Sequence, residues 1–163
     1  MIGNIGSGKT TLCKKLGVIL DIPTYHFDQV VWQENWQKTA LDVREALTKE
    51  WAARDVWVID GVSKQFMVAA DTVIFLDFPW YVCVWRTCKR NLKVLFRTRA
   101  EMPNGCSDYK VIPLIWRIIW NFKRTQNPWI IEAMATKPAN NVFHVRSNKE
   151  LHVCIGSIGA ANT

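Results

Sequence analysis

Eight residues near the start of the chain, Gly3-Asn4-Ile5-Gly6-Ser7-Gly8-Lys9-Thr10, have the types and spacing needed to hold a polyphosphate. They fit G-x-x-x-x-G-K-[ST] at every fixed position, the pattern of a glycine-rich phosphate-binding loop. Gly3, Gly6 and Gly8 let the backbone turn tightly and aim successive N–H groups at one point, a nest for an anion. Lys9 is then placed to reach the β- and γ-phosphates of a nucleotide, and the Thr10 hydroxyl to ligate Mg²⁺. The run from Thr11 to Leu16 reads as the opening of a helix, whose N-terminal partial positive charge adds to the site. The competing reading is a glycine-rich turn that fits by chance; four fixed residue types opening a helix argue against it.

Three aspartates compete for roles beside that loop. Asp28 closes Thr24-Tyr25-His26-Phe27, which reads as a short strand. A carboxylate at a strand tip in an α/β fold points into the crevice where ligands bind. There it either orients an acceptor hydroxyl or acts as a general base; the alternative is a plain loop-start residue. His26 reads as a packed strand residue. Asp60 ends the apolar run Val56-Trp57-Val58-Ile59, where nucleoside triphosphatases place the carboxylate that holds Mg²⁺. Asp77 ends a second such run, Asp71 to Asp77, and competes with Asp60.

Basic residues follow. Trp80 to about Phe96 reads as a helix with Arg86, Lys89, Arg90 and Lys93 on one face. It leads into Arg97-Thr98-Arg99 and the turn Pro103-Asn104-Gly105. Residues 80–100 hold six basic residues and no acidic one. The bland reading is a solvated helix face. The alternative is that Arg90, Arg97 and Arg99 stabilise a transferring phosphoryl group, from a short basic lid at about 97–110 that closes over the site.

The elements that must position these residues alternate between strand and helix. The first helix should end near Leu20, because Ile22-Pro23 cannot continue it. Thr39 with Asp42 resembles a capping box opening a helix to about Ala53, with a stripe of Leu41, Val43, Ala46, Leu47, Trp51 and Ala52. Val111 to Phe122 is an apolar helix whose Trp116 and Trp120, one turn apart, read as core. Pro128 opens a short helix to about Thr136, and Val142 to Val145 is the last strand. The tail, Leu151 to Thr163, shows no helical stripe and reads as frayed or foreign to the fold. This alternation predicts one domain over residues 1–163, a three-layer α/β fold with a parallel sheet. A phosphate-binding loop normally follows a strand of about five apolar residues. Only Met1 and Ile2 precede Gly3, so either the chain starts late, through truncation or a misplaced start codon, or the first strand is a stub.

Composition narrows the class. With 163 residues, 49% hydrophobic, and a mean hydropathy of -0.03, the chain is long enough for a real core and unlike a disordered segment. The most apolar run is about 12 residues against the roughly 20 of a membrane span, so no membrane partner is expected. No signal-peptide pattern is visible. Five cysteines without a C-x-x-C pair argue against a disulfide framework and a zinc site, and fit a reducing cytoplasm. The charge of +7 is lopsided. Residues 1–79 hold 8 Lys/Arg against 10 Asp/Glu, and residues 80–163 hold 13 against 4. The second half should attract an anion, nucleotide or nucleic acid.

In this order the segments resemble the adenylate-kinase-like P-loop NTPases, and more narrowly the bacterial DNA topology modulation family. The segments that carry the likeness are Gly3–Thr10, His26-Phe27-Asp28, Ile59-Asp60-Gly61, the run Val73 to Pro79, Arg97-Thr98-Arg99, and Met102-Pro103-Asn104-Gly105-Cys106. The likeness runs from Gly3 to about Glu150. It implies ATP in the loop, Mg²⁺ held through Thr10 and Asp60, lid arginines over the phosphates, and Arg146 bordering the nucleotide base. Val62-Ser63-Lys64 stands where adenylate kinases have a Pro-Arg that grips the acceptor, so AMP as acceptor is not implied. The expected activity is an ATP-dependent kinase acting on a small acceptor such as a nucleotide or nucleoside, with Asp28 orienting it. The alternatives are a nucleic-acid-associated ATPase or regulator linked to DNA topology, and a degraded copy that binds nucleotide poorly. No nucleic-acid-binding module is readable. A monomer and a dimer both fit these features.

Overall fold

A computed structural model describes residues 1–93 and 112–160. Arg97, Arg99 and the expected lid at about 97–110 lie outside the described residues.

The apolar runs form parallel strands and the amphipathic runs form the helices between them. In chain order these are β1 (Ile2–Gly3), α1 (Lys9–Leu20), β2 (Thr24–His26), α2 (Asp28–Val31), α3 (Leu41–Ala52), β3 (Val58–Asp60) and α4 (Lys64–Ala69). Then come β4 (Val73–Leu76), α5 (Trp80–Lys93), α6 (Ile112–Thr125), α7 (Asn127–Ala135), β5 (Val142–Val145) and α8 (Asn148–Ala160). One sheet has the order β1-β4-β5 and the other pairs β2 with β3, all in parallel. Met1 joins them. Its ammonium donates to the Ile59 carbonyl at 2.5 Å, and its own carbonyl accepts the Gly61 N–H at 3.0 Å. The strands therefore run 2-3-1-4-5 from edge to edge. β1, Ile2–Gly3, occupies the middle of that array.

Successive side chains of a strand face opposite ways, and β4, buried at all four positions, divides the core accordingly. Ile74 and Leu76 pack with Leu12 and Leu16 of α1, Ile115 and Ile119 of α6, and Cys154 of α8. Val73 and Phe75 pack on the other face with Met67 of α4, Phe122 at the end of α6, and Ile130 and Met134 of α7. Helices cover both faces, the three-layer arrangement that continuous apolar strands require.

Four expectations need correction. Thr39 does not cap α3: its N–H is bonded to Val31, the helix opens after Ala40, and no side chain caps it. The α3 stripe is not a core face, since Leu41 and Val43 are exposed and only Thr48 of that helix is buried. Trp116 and Trp120 are 48% and 66% exposed, because α6 turns Ile115, Ile119 and Phe122 inward instead. The tail is neither frayed nor foreign through Ala160, because α8 docks Cys154 in the core with Leu151, Ile155 and Ile158 beside it.

Candidate functional site

The loop between β1 and α1 turns through Gly6 at φ +77° and Gly8 at φ +102°, backbone conformations that L side chains rarely adopt. A methyl group at Gly6 would also stand 2.4 Å from the Cys83 carbonyl and from Thr87 Oγ1 of α5, so only hydrogen fits there. Gly8 caps α1, and the orphan N–H groups of that first turn point out of the loop. Two side chains brace the loop. Asn4 donates from Nδ2 to the Ile119 carbonyl of α6 at 3.0 Å and accepts the Ile5 N–H at 2.8 Å. Arg86 of α5 donates to the Ser7 carbonyl at 3.0 Å and to Asn148 Oδ1 at the start of α8 at 2.8 Å. The Arg86 guanidinium also lies 4.3 Å over the Phe78 ring.

Lys9 stands at the mouth of this loop, its Nζ donating to the Gly3 and Asn4 carbonyls, both at 2.9 Å. Burial pulls its ammonium below the ordinary value of 10.5, while the charges of Asp28 and Asp60 pull it back up and that of Arg90 pushes it down. The charges of Asp28, Asp60 and Arg90 are thus all felt at Lys9.

Asp60 is buried at the C-terminal end of β3. His26 Nδ1 lies 3.0 Å from its Oδ1, and the Thr10 hydroxyl also hydrogen-bonds its carboxylate. Burial alone would raise the Asp60 carboxyl; the His26 and Thr10 hydrogen bonds, with the charges of His26 and Lys9, outweigh it and hold it below 3.8. Asp60 is thus an anion beside Thr10 and Lys9. Asp77 is occupied elsewhere: His144 Nε2 faces its Oδ2 at 3.0 Å and Asn127 donates to its Oδ1 at 3.1 Å. Between the two candidates, geometry puts Asp60 beside Thr10 and not Asp77.

Asp28 does not end a strand; it opens the one-turn helix α2, exposed, with its charge felt at Lys9. Thr11 is exposed on the first turn of α1. Arg146, just past β5, points Nη2 at His144 Nδ1 at 3.2 Å, and its backbone N–H donates to Glu150 Oε2 at 2.8 Å. Its neighbour Asn148 reaches the loop through Arg86.

Among the described residues no three His, Cys, Asp or Glu side chains cluster to hold a metal ion. Mg²⁺ does not need such a cage, since it keeps waters and takes one or two protein oxygens with substrate phosphates. The adjacent Thr10 hydroxyl and Asp60 carboxylate fit that donor set. Burial pushes the Cys13 thiol up to about 12 and those of Cys83 and Cys154 to about 11, so all three are neutral and inert.

Sequence reasoning missed two residues of this site. His26 is a partner of Asp60 as well as a packed strand residue, and its signal was the equal distance of His26 and Asp60 from the ends of two strands that pair in register. Arg86 was visible only as one of several basic residues on a helix face.

Among the described residues no helix is long and apolar enough to cross a membrane. Comparison of the chain with protein families, with curated proteins and with solved structures finds no match.

Proposed function

We propose that the chain binds ATP in the Gly3–Thr10 loop and transfers the γ-phosphoryl group to the hydroxyl of a small acceptor, as an adenylate-kinase-like P-loop phosphotransferase. The observation that carries the reading is the meeting of Lys9, Thr10 and Asp60 at the mouth of a loop that only glycines can form. Strand order 2-3-1-4-5, with the loop following the central strand, is the setting in which an open parallel sheet binds ligands at its carboxyl edge.

Phosphate oxygens carry full charge and outcompete the two carbonyls that now accept from Lys9. The N–H groups of the loop and of the first turn of α1 take the β-phosphate. Thr10 and Asp60 would hold Mg²⁺, which would supply neutralisation of the phosphate charge. Arg90, whose charge is felt at Lys9, adds a second cation where charge spreads in the transition state, and Arg97 and Arg99 are assigned the same role. Asp28 orients the acceptor hydroxyl and receives its proton as the oxygen bonds to phosphorus and ADP departs. Arg146 borders the base. Nearly all of the catalysis in this scheme is positioning and electrostatics.

The test is ADP formation from Mg·ATP with nucleoside monophosphates, nucleosides and duplex DNA as candidate acceptors, with Lys9→Ala as the blank. Acceptor-dependent ADP that vanishes in Lys9→Ala supports the proposal and names the acceptor class. ADP formation that depends on DNA, or none with any acceptor, overturns it.

A further inference from the structure

Helices α5 and α6 present an aromatic, basic face that the loop chemistry does not use. Tyr81, Trp85 and Leu92 of α5 lie on one stripe, the last two 68% and 78% exposed. Trp116 and Trp120 are exposed one turn apart on α6. The two stripes are continuous: the Trp80 ring is 4.9 Å from that of Trp120, and Cys88 and Leu92 share with Ile112 and Trp116 a groove of about 320 Å³. Lys89, Arg117, Lys123 and Arg124 are exposed on the same pair of helices, and neither helix contains an aspartate or glutamate. Among the described residues none of these four cations has an ion-pair partner.

From this we infer that the α5/α6 face is a docking surface for an anionic lipid bilayer, on which the helices lie without crossing. The charge selects the occupant. A second copy of the chain would bring the same four cations against four more. A nucleic acid would answer the cations and stack on the indoles, but offers nothing to Leu92, an aliphatic side chain exposed on the same stripe of α5 as Tyr81 and Trp85. A bilayer interface answers all three: indoles at the headgroup level, Leu92 at the acyl boundary, and Lys and Arg at the lipid phosphates. Each helix has 14 residues, short of the roughly 20 that span a bilayer and long enough to lie in its plane. The inference does not depend on ATP binding.

The experiment is co-sedimentation of the full chain with vesicles of phosphatidylcholine alone and of equal parts phosphatidylcholine and phosphatidylglycerol, with tryptophan emission recorded in parallel. The expected result is partitioning onto the anionic vesicles only, with emission moving to shorter wavelength, and loss of binding on adding salt. Lys89→Glu with Arg117→Glu should weaken partitioning by about ten-fold or more. Trp85→Ser with Trp116→Ser should do the same, with unchanged circular dichroism; both pairs are surface changes. Equal partitioning on the two vesicle types, none on either, or none of these variants weakening it would overturn the inference. So would displacement from the vesicles by a single-stranded oligonucleotide that binds the chain more tightly, which would make the face a nucleic-acid surface.

Discussion

His26 on β2 and Asp60 on β3 are paired in register, and this brings the imidazole Nδ1 to 3.0 Å from the carboxylate Oδ1. Two short strands thus do what a long loop could not: they fix a buried anion at a set height above the sheet, with one oxygen engaged from β2 and with Thr10 of α1 as its other neighbour. The register also sets Tyr25 against Ile59 and Thr24 against Val58, so a slip of one residue would turn Asp60 to the other face and lose the site.

A pH dependence follows from that pair. The Asp60 carboxyl is held below its ordinary 3.8, so its ionised form is favoured in the folded chain. A depressed carboxyl contributes stability that is fully present above the unfolded value and is lost as pH falls through the lower, folded one. Replacing His26 by Leu should therefore cost about 1.5–3 kcal/mol at neutral pH, the usual range for a hydrogen bond to a charged group. The cost should begin to shrink as pH falls past the unfolded value of 3.8 and be lost once pH falls through the lower, folded one, where Asp60 protonates. Urea unfolding of both chains at neutral and at acid pH measures it; a constant difference across that window would mean that His26 acts through packing alone.

Two glycines should respond in opposite directions. Gly6 sits at φ +77° with Cys83 and Thr87 2.4 Å from where a methyl would go, so Gly6→Ala combines backbone strain with a clash. A loss of about 2–3 kcal/mol or more is expected. Gly156 lies inside α8 with nothing within 4 Å of an added methyl, so Gly156→Ala should gain about 0.5–1 kcal/mol from helix propensity. Thermal midpoints of the two variants, run side by side, should bracket the parent chain.

How much of this could be read from the residues divides along physical lines. The tight glycine turn of Gly3–Thr10 and the run Val73 to Leu76 were legible, because a turn through glycines at positive φ and a strand buried on both faces each leave a local pattern in the residues. The tryptophans of α6 were not. Helical spacing says which side chains share a face, but not whether a neighbour covers it, and Ile115, Ile119 and Phe122 offered a second face of equal quality. The helix of the tail was legible and was overlooked. Ser147 caps it, its Oγ accepting the Glu150 N–H at 3.2 Å and donating to Glu150 Oε1 at 3.0 Å, while Glu150 Oε2 accepts the Arg146 N–H at 2.8 Å. Leu151, Cys154, Ile155 and Ile158 then recur at helical spacing, a stripe that Gly156 and Gly159 obscure. His26 needed the register of two strands, which is a tertiary fact.

Ile130 offers a check on the core that is independent of any ligand. It is fully buried on α7 against Phe75 and Phe122 in the cluster that covers one face of the sheet. Ile130→Ala should cost about 2–5 kcal/mol, the range for deleting a large buried aliphatic group. Ile131→Ala, next in sequence but half exposed, should cost far less. Equal midpoints in denaturant for the two would mean that α7 does not pack on the sheet as described.

Arg86 is where α5, the loop and α8 meet. One guanidinium donates to Ser7 in the loop and to Asn148 at the head of α8 while lying over Phe78. A lysine carries the same charge but lacks the planar fork, so it cannot make both contacts and the stacking at once. Arg86→Lys should therefore recover only part of what Arg86→Ala loses. Since the Asn148 contact is exposed, its share should be near the modest end, about 0.5–1 kcal/mol. A double-mutant cycle of Arg86→Ala and Asn148→Ala isolates that share. If the two losses simply add, Arg86 does not tie the loop to α8, and α8 is held by Leu151, Cys154 and Ile155 alone.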